Sequence, residues 1–283
     1  MSTYQQHLSK ISPGTLDEAN LIYDTALMVW CMQLNREPVL QGNYLKFDSW
    51  ETFEEYLKSV PEDLHDGKLM EKAVALYEAC YEKEKAAGNT KAAVAVGLLM
   101  ANALDKTGDG DDRMNIVQTE CLALAIAEGD WQQAGSFYMA QAHTARFRTY
   151  DSKLAFDLLR KAQESFAKAN DVAALHHAFH TEMSILDPEA NEGKDADLAR
   201  FQDLYKKCVS YYSAQNEQAS LVNLHVFAHE MLVKYQRLDL VELALIDMLG
   251  IVKQHFPDEY ENNLTGVREN FQNLGINSSK LPK

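Results

Sequence analysis

The sequence predicts an all-α protein: a superhelix of four to five stacked helical hairpins with capping helices at its N-terminal end. Three observations predict it. Two-residue helix breakers recur as Gly88-Asn89, Gly129-Asp130, Asn170-Asp171 and Asn216-Glu217, at intervals of 41, 41 and 46 residues. Recurrence at a nearly fixed period marks a stacked array, because a single hairpin cannot bury its apolar face alone. Six prolines occur in 283 residues, and none lies between Pro61 and Pro188. A proline-free stretch rich in Ala, Leu, Glu and Lys favours helix, since proline removes a backbone donor and clashes with the preceding turn. Finally, apolar or small residues recur with spacing four then three in the segment before each breaker. These are Ala73, Tyr77, Cys80; Ala155, Leu159, Ala162; and Phe201, Tyr205, Cys208, with Ala244, Met248, Ile251 further on. Met114, Gln118, Cys121 follow the same spacing, with Gln118 the one polar member. That spacing puts each set on one helix face.

The elements follow in order. Residues 15–34 read as a long helix with Thr15 as N-cap and Glu18 at capping-box spacing, and with Trp30 and Leu34 on its apolar side. NREPVLQGNYLKF reads as a loop, and residues 48–60 as a short helix capped by Asp48 or Ser49. Residues 1–61 are expected to cap the array, 62–255 to form the repeats, and 256–283 to supply a closing helix over 258–273 and a frayed tail. Three of the four cysteines (Cys80, Cys121 and Cys208) share one repeat position, where the remaining unit has Ala162. The spacing contains no CxxC pair, so the expected role is a compact buried hydrophobe, not a zinc or redox centre.

Charge narrows the function. There are 27 Lys and Arg against 42 Asp and Glu, a net charge of −15. Such a surface repels phosphate backbones and disfavours nucleic acid, while it suits a basic protein or peptide. No apolar run approaches the ~20 residues that span a bilayer, and the first residues have no signal-like apolar core. The expectation is a cytoplasmic protein without membrane partners and with no cofactor.

The stretch EGDWQQAGSFYMAQAH carries a family resemblance. Trp131, Ala134, Gly135 and Tyr138 have the spacing of the first-helix signature of a tetratricopeptide repeat, and Ala155, Leu159 and Ala162 resemble that of its second helix. The region 62–255 is therefore similar to a tetratricopeptide array, although its period of 41 to 46 is longer than the family's 34. The resemblance implies that first helices line a concave, protein-binding surface.

Candidate site residues fall on those first helices. His176 and His180 are spaced by four, as are His225 and His229, with His177 between the first two and His143 on the preceding first helix. The spacing fits a metal grip, a polar groove wall or interhelical packing. Glu182 and Glu230 follow the histidines, so the pattern is not HExxH. Arg146 and Arg148 could hold a carboxylate or complement a helix C-terminus. Asp105, Thr107, Asp109 and Gly110 match the start of a calcium loop, but Ile116 stands where a bidentate Glu is needed. The expectation is a binding module with a basic partner, acting as an adaptor, chaperone, immunity protein or regulator, with His143, Arg146, His176, His177, His180, His225 and His229 on its binding face. The alternative is a metal-assisted enzyme using a His- and Glu-lined groove.

Overall fold

The architecture comes from a computed structural model, which describes residues 3–33, 42, 44–65, 67–107, 111–186, 197–277, 279 and 281. The described residues form thirteen α-helices. They are α1 (Tyr4–Leu8), α2 (Leu16–Gln33), α3 (Trp50–Lys58), α4 (Lys68–Ala86), α5 (Thr90–Leu104), α6 (Asp111–Glu128), α7 (Trp131–Phe147), α8 (Ser152–Ala169), α9 (Val172–Ile185), α10 (Leu198–Ala214), α11 (Gln218–Lys234), α12 (Leu238–His255) and α13 (Tyr260–Leu274). The chain divides into two compact units, Met1–Gln141 and Ala142–Lys283. In the first, α2 packs on α4, α4 on α5 and α5 on α6. In the second, each helix from α8 to α13 packs on the next. This is an all-α array of helical hairpins.

The breakers work by one backbone device. Gly88, Gly129, Asn170 and Asn216 all have φ between 55° and 73°, in the left-handed region. The next residue in each case donates its N–H to the carbonyl five residues back, always at 2.9 Å: Asn89 to Glu84, Asp130 to Ala125, Asp171 to Phe166, Glu217 to Tyr212. This is the Schellman closure, which satisfies the orphan carbonyls of a helix end. Glycine and asparagine enter the left-handed region at little cost, which explains the composition of the breakers. The second residue then starts the next helix. Asp171 accepts the Ala174 N–H at 3.0 Å, and Asp130 that of Gln133 at 3.2 Å.

A fifth copy of the turn joins α11 to α12, where Gln236 has φ 58° and Arg237 donates to Leu232 at 2.9 Å. Neither residue is a turn former, so sequence inspection misses it. Gln236→Gly is expected to raise stability by about 1 kcal/mol, by relieving the left-handed strain of a residue with a Cβ. Urea unfolding of the two proteins measures this.

Most of the periodic positions are core, while Tyr205 and Ile251 are half-buried. Ala73, Tyr77, Met114, Cys121, Ala155, Leu159, Ala162, Phe201 and Cys208 are all buried, as is Cys80. Burial pushes the thiols up, to about 11 for Cys121 and about 12 for Cys208, so they stay protonated and pack as small apolar groups. Gln118 is buried too, and its Oε1 has no partner among the described residues. Of the first-helix signature, Ala134 and Gly135 are buried while Trp131 and Tyr138 are half-buried.

The two predicted N-terminal helices form, with three adjustments. Thr15 Oγ1 does accept the Glu18 N–H at 3.4 Å, but the Glu18 carboxylate takes the Gly14 N–H at 2.6 Å, one residue earlier than a capping box. Ser49, rather than Asp48, caps α3. Trp30 is 37% exposed, and Leu34 lies outside the described residues, as does most of the predicted loop after it. The C-terminal tail is not simply frayed: Leu281 is 7% exposed and packs into the apolar core of the second unit. In the calcium-like segment, Asp109 and Gly110 lie outside the described residues, while Asp105 accepts a bond from Lys106 at 2.6 Å and Ile116 is exposed.

Candidate functional site

Among the described residues of the second unit, three of the predicted histidines each border a different groove. His176 borders one of about 410 Å³ beside α10, and His229 borders another of about 300 Å³ with α12 and α13. A third, of about 670 Å³, has α10 and α12 as walls and α11 as its floor, where His225 lies.

Each helical pair is engaged by the neighbouring helix. His176 donates through Nδ1 to the Val172 carbonyl at 2.8 Å and stacks on Tyr211 of α10, with ring centres 4.0 Å apart and planes 12° off parallel. His180 packs on Phe227 of α11 at 4.9 Å. His229 holds Val226 O through Nδ1 at 3.1 Å. His177 and His143 are exposed, the latter against Phe147 at 4.6 Å. Arg146 reaches Ser152 Oγ at 3.2 Å at the start of α8. Among the described residues, no three His, Cys, Asp or Glu side chains gather as a metal ion would require.

His225 differs from the rest. It is only 4% exposed, yet it lines the large groove. Its Nδ1 lies 2.6 Å from the Tyr205 hydroxyl, and the two rings meet edge to face. Burial holds the imidazole below its usual pKa, and the nearby Asp247 carboxylate opposes this. Burial, aided by Asp247, pushes the Tyr205 phenol up. At neutral pH the pair is thus a phenol bonded to a neutral imidazole. Tyr205 and Asp247 sit 20 and 22 residues from His225, on other helices, and no local motif points to them.

A second polar node lies deeper in the same unit. Glu182 of α9 is 2% exposed. It accepts from Arg200 of α10 through both oxygens, at 2.8 and 2.9 Å, and from Gln163 of α8 at 2.6 Å. Three successive helices are thereby tied through one carboxylate, in the two-pronged geometry that arginine favours.

The histidine environments predict a pH dependence. A group whose folded pKa is lowered binds fewer protons folded than unfolded, so stability falls as pH drops. His225 and His180 are both lowered by burial. Their contribution is complete above the unfolded pKa of about 6.5 and is lost as pH falls below it. Urea unfolding at pH 7.5 and 5.0 is expected to show lower stability at pH 5.0, with a smaller difference for His225→Gln.

No protein-family model matches this sequence, and no curated protein matches it. Among the described residues no helix is long and apolar enough to cross a membrane.

Proposed function

We propose that this chain is a tetratricopeptide-like binding module of the cytoplasm that takes a basic protein or peptide, in the manner of an adaptor, chaperone, immunity protein or regulator. The distribution of charge carries the reading. Residues 1–141 hold 22 Asp and Glu against 11 Lys and Arg, while residues 142–283 hold 20 against 16. The acidity thus belongs chiefly to one compact unit, where Glu71, Glu78 and Glu82 lie along the exposed side of α4. A concentrated field of one sign steers an oppositely charged partner and speeds encounter. Stacked hairpins supply the extended surface such a partner needs.

The test is fluorescence anisotropy with two labelled nine-residue peptides, one alternating Lys and Leu, the other Glu and Leu. The lysine peptide is expected to bind, with affinity falling at least tenfold between 0.05 and 0.5 M salt as the screening length shrinks below about 5 Å. Equal binding of both peptides, or salt-independent binding, overturns the reading.

A further inference from the structure

We infer that the groove between α10 and α12 is the seat of an extended peptide segment of about four residues that presents an aliphatic side chain and a lysine or arginine. The inference rests on the basic-partner reading and assigns a seat in the second unit, where Asp247 lines the groove, rather than in the more acidic residues 1–141.

The dimensions set the length. The α12 wall runs from Ile246 to His255, about 14 Å at 1.5 Å per residue. Four extended residues span that distance at ~3.4 Å each. The lining sets the chemistry. Val209, Leu221, Ile246 and Ile251 give it apolar patches from all three helices. Asp247 is its carboxylate, exposed on α12, and none of its lining residues is a Lys or Arg. His255, exposed at the end of α12, is the one other titratable group on that wall. An anionic segment would meet Asp247 with no cationic side chain to offset it, whereas a cationic side chain meets an acceptor.

His225 supplies the element that a merely apolar dent would lack. It is 4% exposed and lines the groove, and its Nδ1 is occupied by the Tyr205 hydroxyl. In the tautomer where the Tyr205 hydroxyl donates to Nδ1, the remaining proton sits on Nε2. Nε2 has no partner among the described residues, so an oriented N–H donor stands at the groove floor. A backbone carbonyl of an extended segment is the complementary acceptor. Donor, carboxylate and apolar surface together match one residue pair of a peptide: a carbonyl on His225, a cation on Asp247, and an aliphatic side chain against Leu221 and Ile251.

Gly250 gives a clean test. It lies mid-helix on α12 at the groove wall, and a Cβ built on it meets nothing within 4 Å. Gly250→Phe therefore fills the groove without disturbing the packing beneath. The probe is the labelled Lys and Leu peptide, read by anisotropy at 0.05 M salt against wild type, Gly250→Phe and Asp247→Asn, with melting temperature confirming the fold. At least a tenfold loss of affinity in both variants, with unchanged melting, is the expected result. Salt-sensitive binding that neither variant alters overturns the groove as the seat and leaves the basic-partner reading standing. No binding to wild type overturns both. A long-range nitrogen spectrum adds a local readout: the His225 Nε2 resonance is expected to move on peptide addition, and a resonance that stays fixed at saturation removes His225 from the contact.

Discussion

Arg200→Ala is expected to be among the most destabilising single substitutions in the second unit, costing about 3 kcal/mol. The reason is an asymmetry. The Arg200 guanidinium is 32% exposed and can return to water, but its partner Glu182 is 2% exposed and cannot. Removing the arginine leaves a buried carboxylate with only the Gln163 amide donor, and an uncompensated buried charge costs far more than the pair contributes. Arg200→Lys keeps the charge and loses the second prong, so its expected cost is about half as large. Asp203→Ala removes a half-exposed partner of the same arginine, 3.4 Å away, and is expected to cost under about 0.5 kcal/mol. Urea unfolding of the three variants checks the order. Equal losses for Arg200→Ala and Asp203→Ala would show that the buried node carries no special weight.

Gly97→Ala is the second large effect. In most helix interiors this change stabilises by about 1 kcal/mol. Here a Cβ would sit 2.2 Å from the Cys121 sulfur and 3.4 Å from the Tyr81 ring, because α5 and α6 approach closely at this point. Cys121 is fully buried. The expected net loss is about 2 kcal/mol from overpacking. A double-mutant cycle makes the cause visible. Cys121→Ala removes the clashing sulfur and leaves its own Cβ at 3.6 Å from the new methyl, an ordinary contact. The pair Gly97→Ala/Cys121→Ala is therefore expected to be more stable than the sum of the single effects by at least 1 kcal/mol. Additive losses would place the cost of Gly97→Ala elsewhere than at the sulfur.

These two cases mark the boundary of what the sequence discloses. The hairpin turns were legible at Gly88, Gly129, Asn170 and Asn216, because few residues tolerate the left-handed backbone. The same turn at Gln236 was not, because glutamine is not a residue that marks the left-handed region it occupies there. The periodic cysteines were readable as core, since one helix face repeated them. Gly97 was not, because a glycine inside a helix carries no local sign that a sulfur from the next helix presses on it.

The histidines show the limit most plainly. Spacing of four did place His176 with His180 on one face, and likewise His225 with His229. What stands opposite each face is decided by helices 20 to 50 residues away in the sequence. Tyr211 meets His176, Phe227 meets His180 and Tyr205 meets His225. Local pattern cannot distinguish an aromatic neighbour from a metal or a ligand. Only the pairing of α9, α10 and α11 brings Tyr211 to His176 and Tyr205 to His225 at its groove.

The measurement that bears most directly on the account is affinity capture from a native lysate with the whole chain as bait, at 0.05 and 0.5 M salt, with the retained proteins identified and weighed against bait by mass spectrometry. A stoichiometric partner with a basic segment, held at low salt and released at high salt, is the predicted result. A stoichiometric partner that is acidic throughout, or no partner at either salt concentration, would contradict a module built to draw in positive charge.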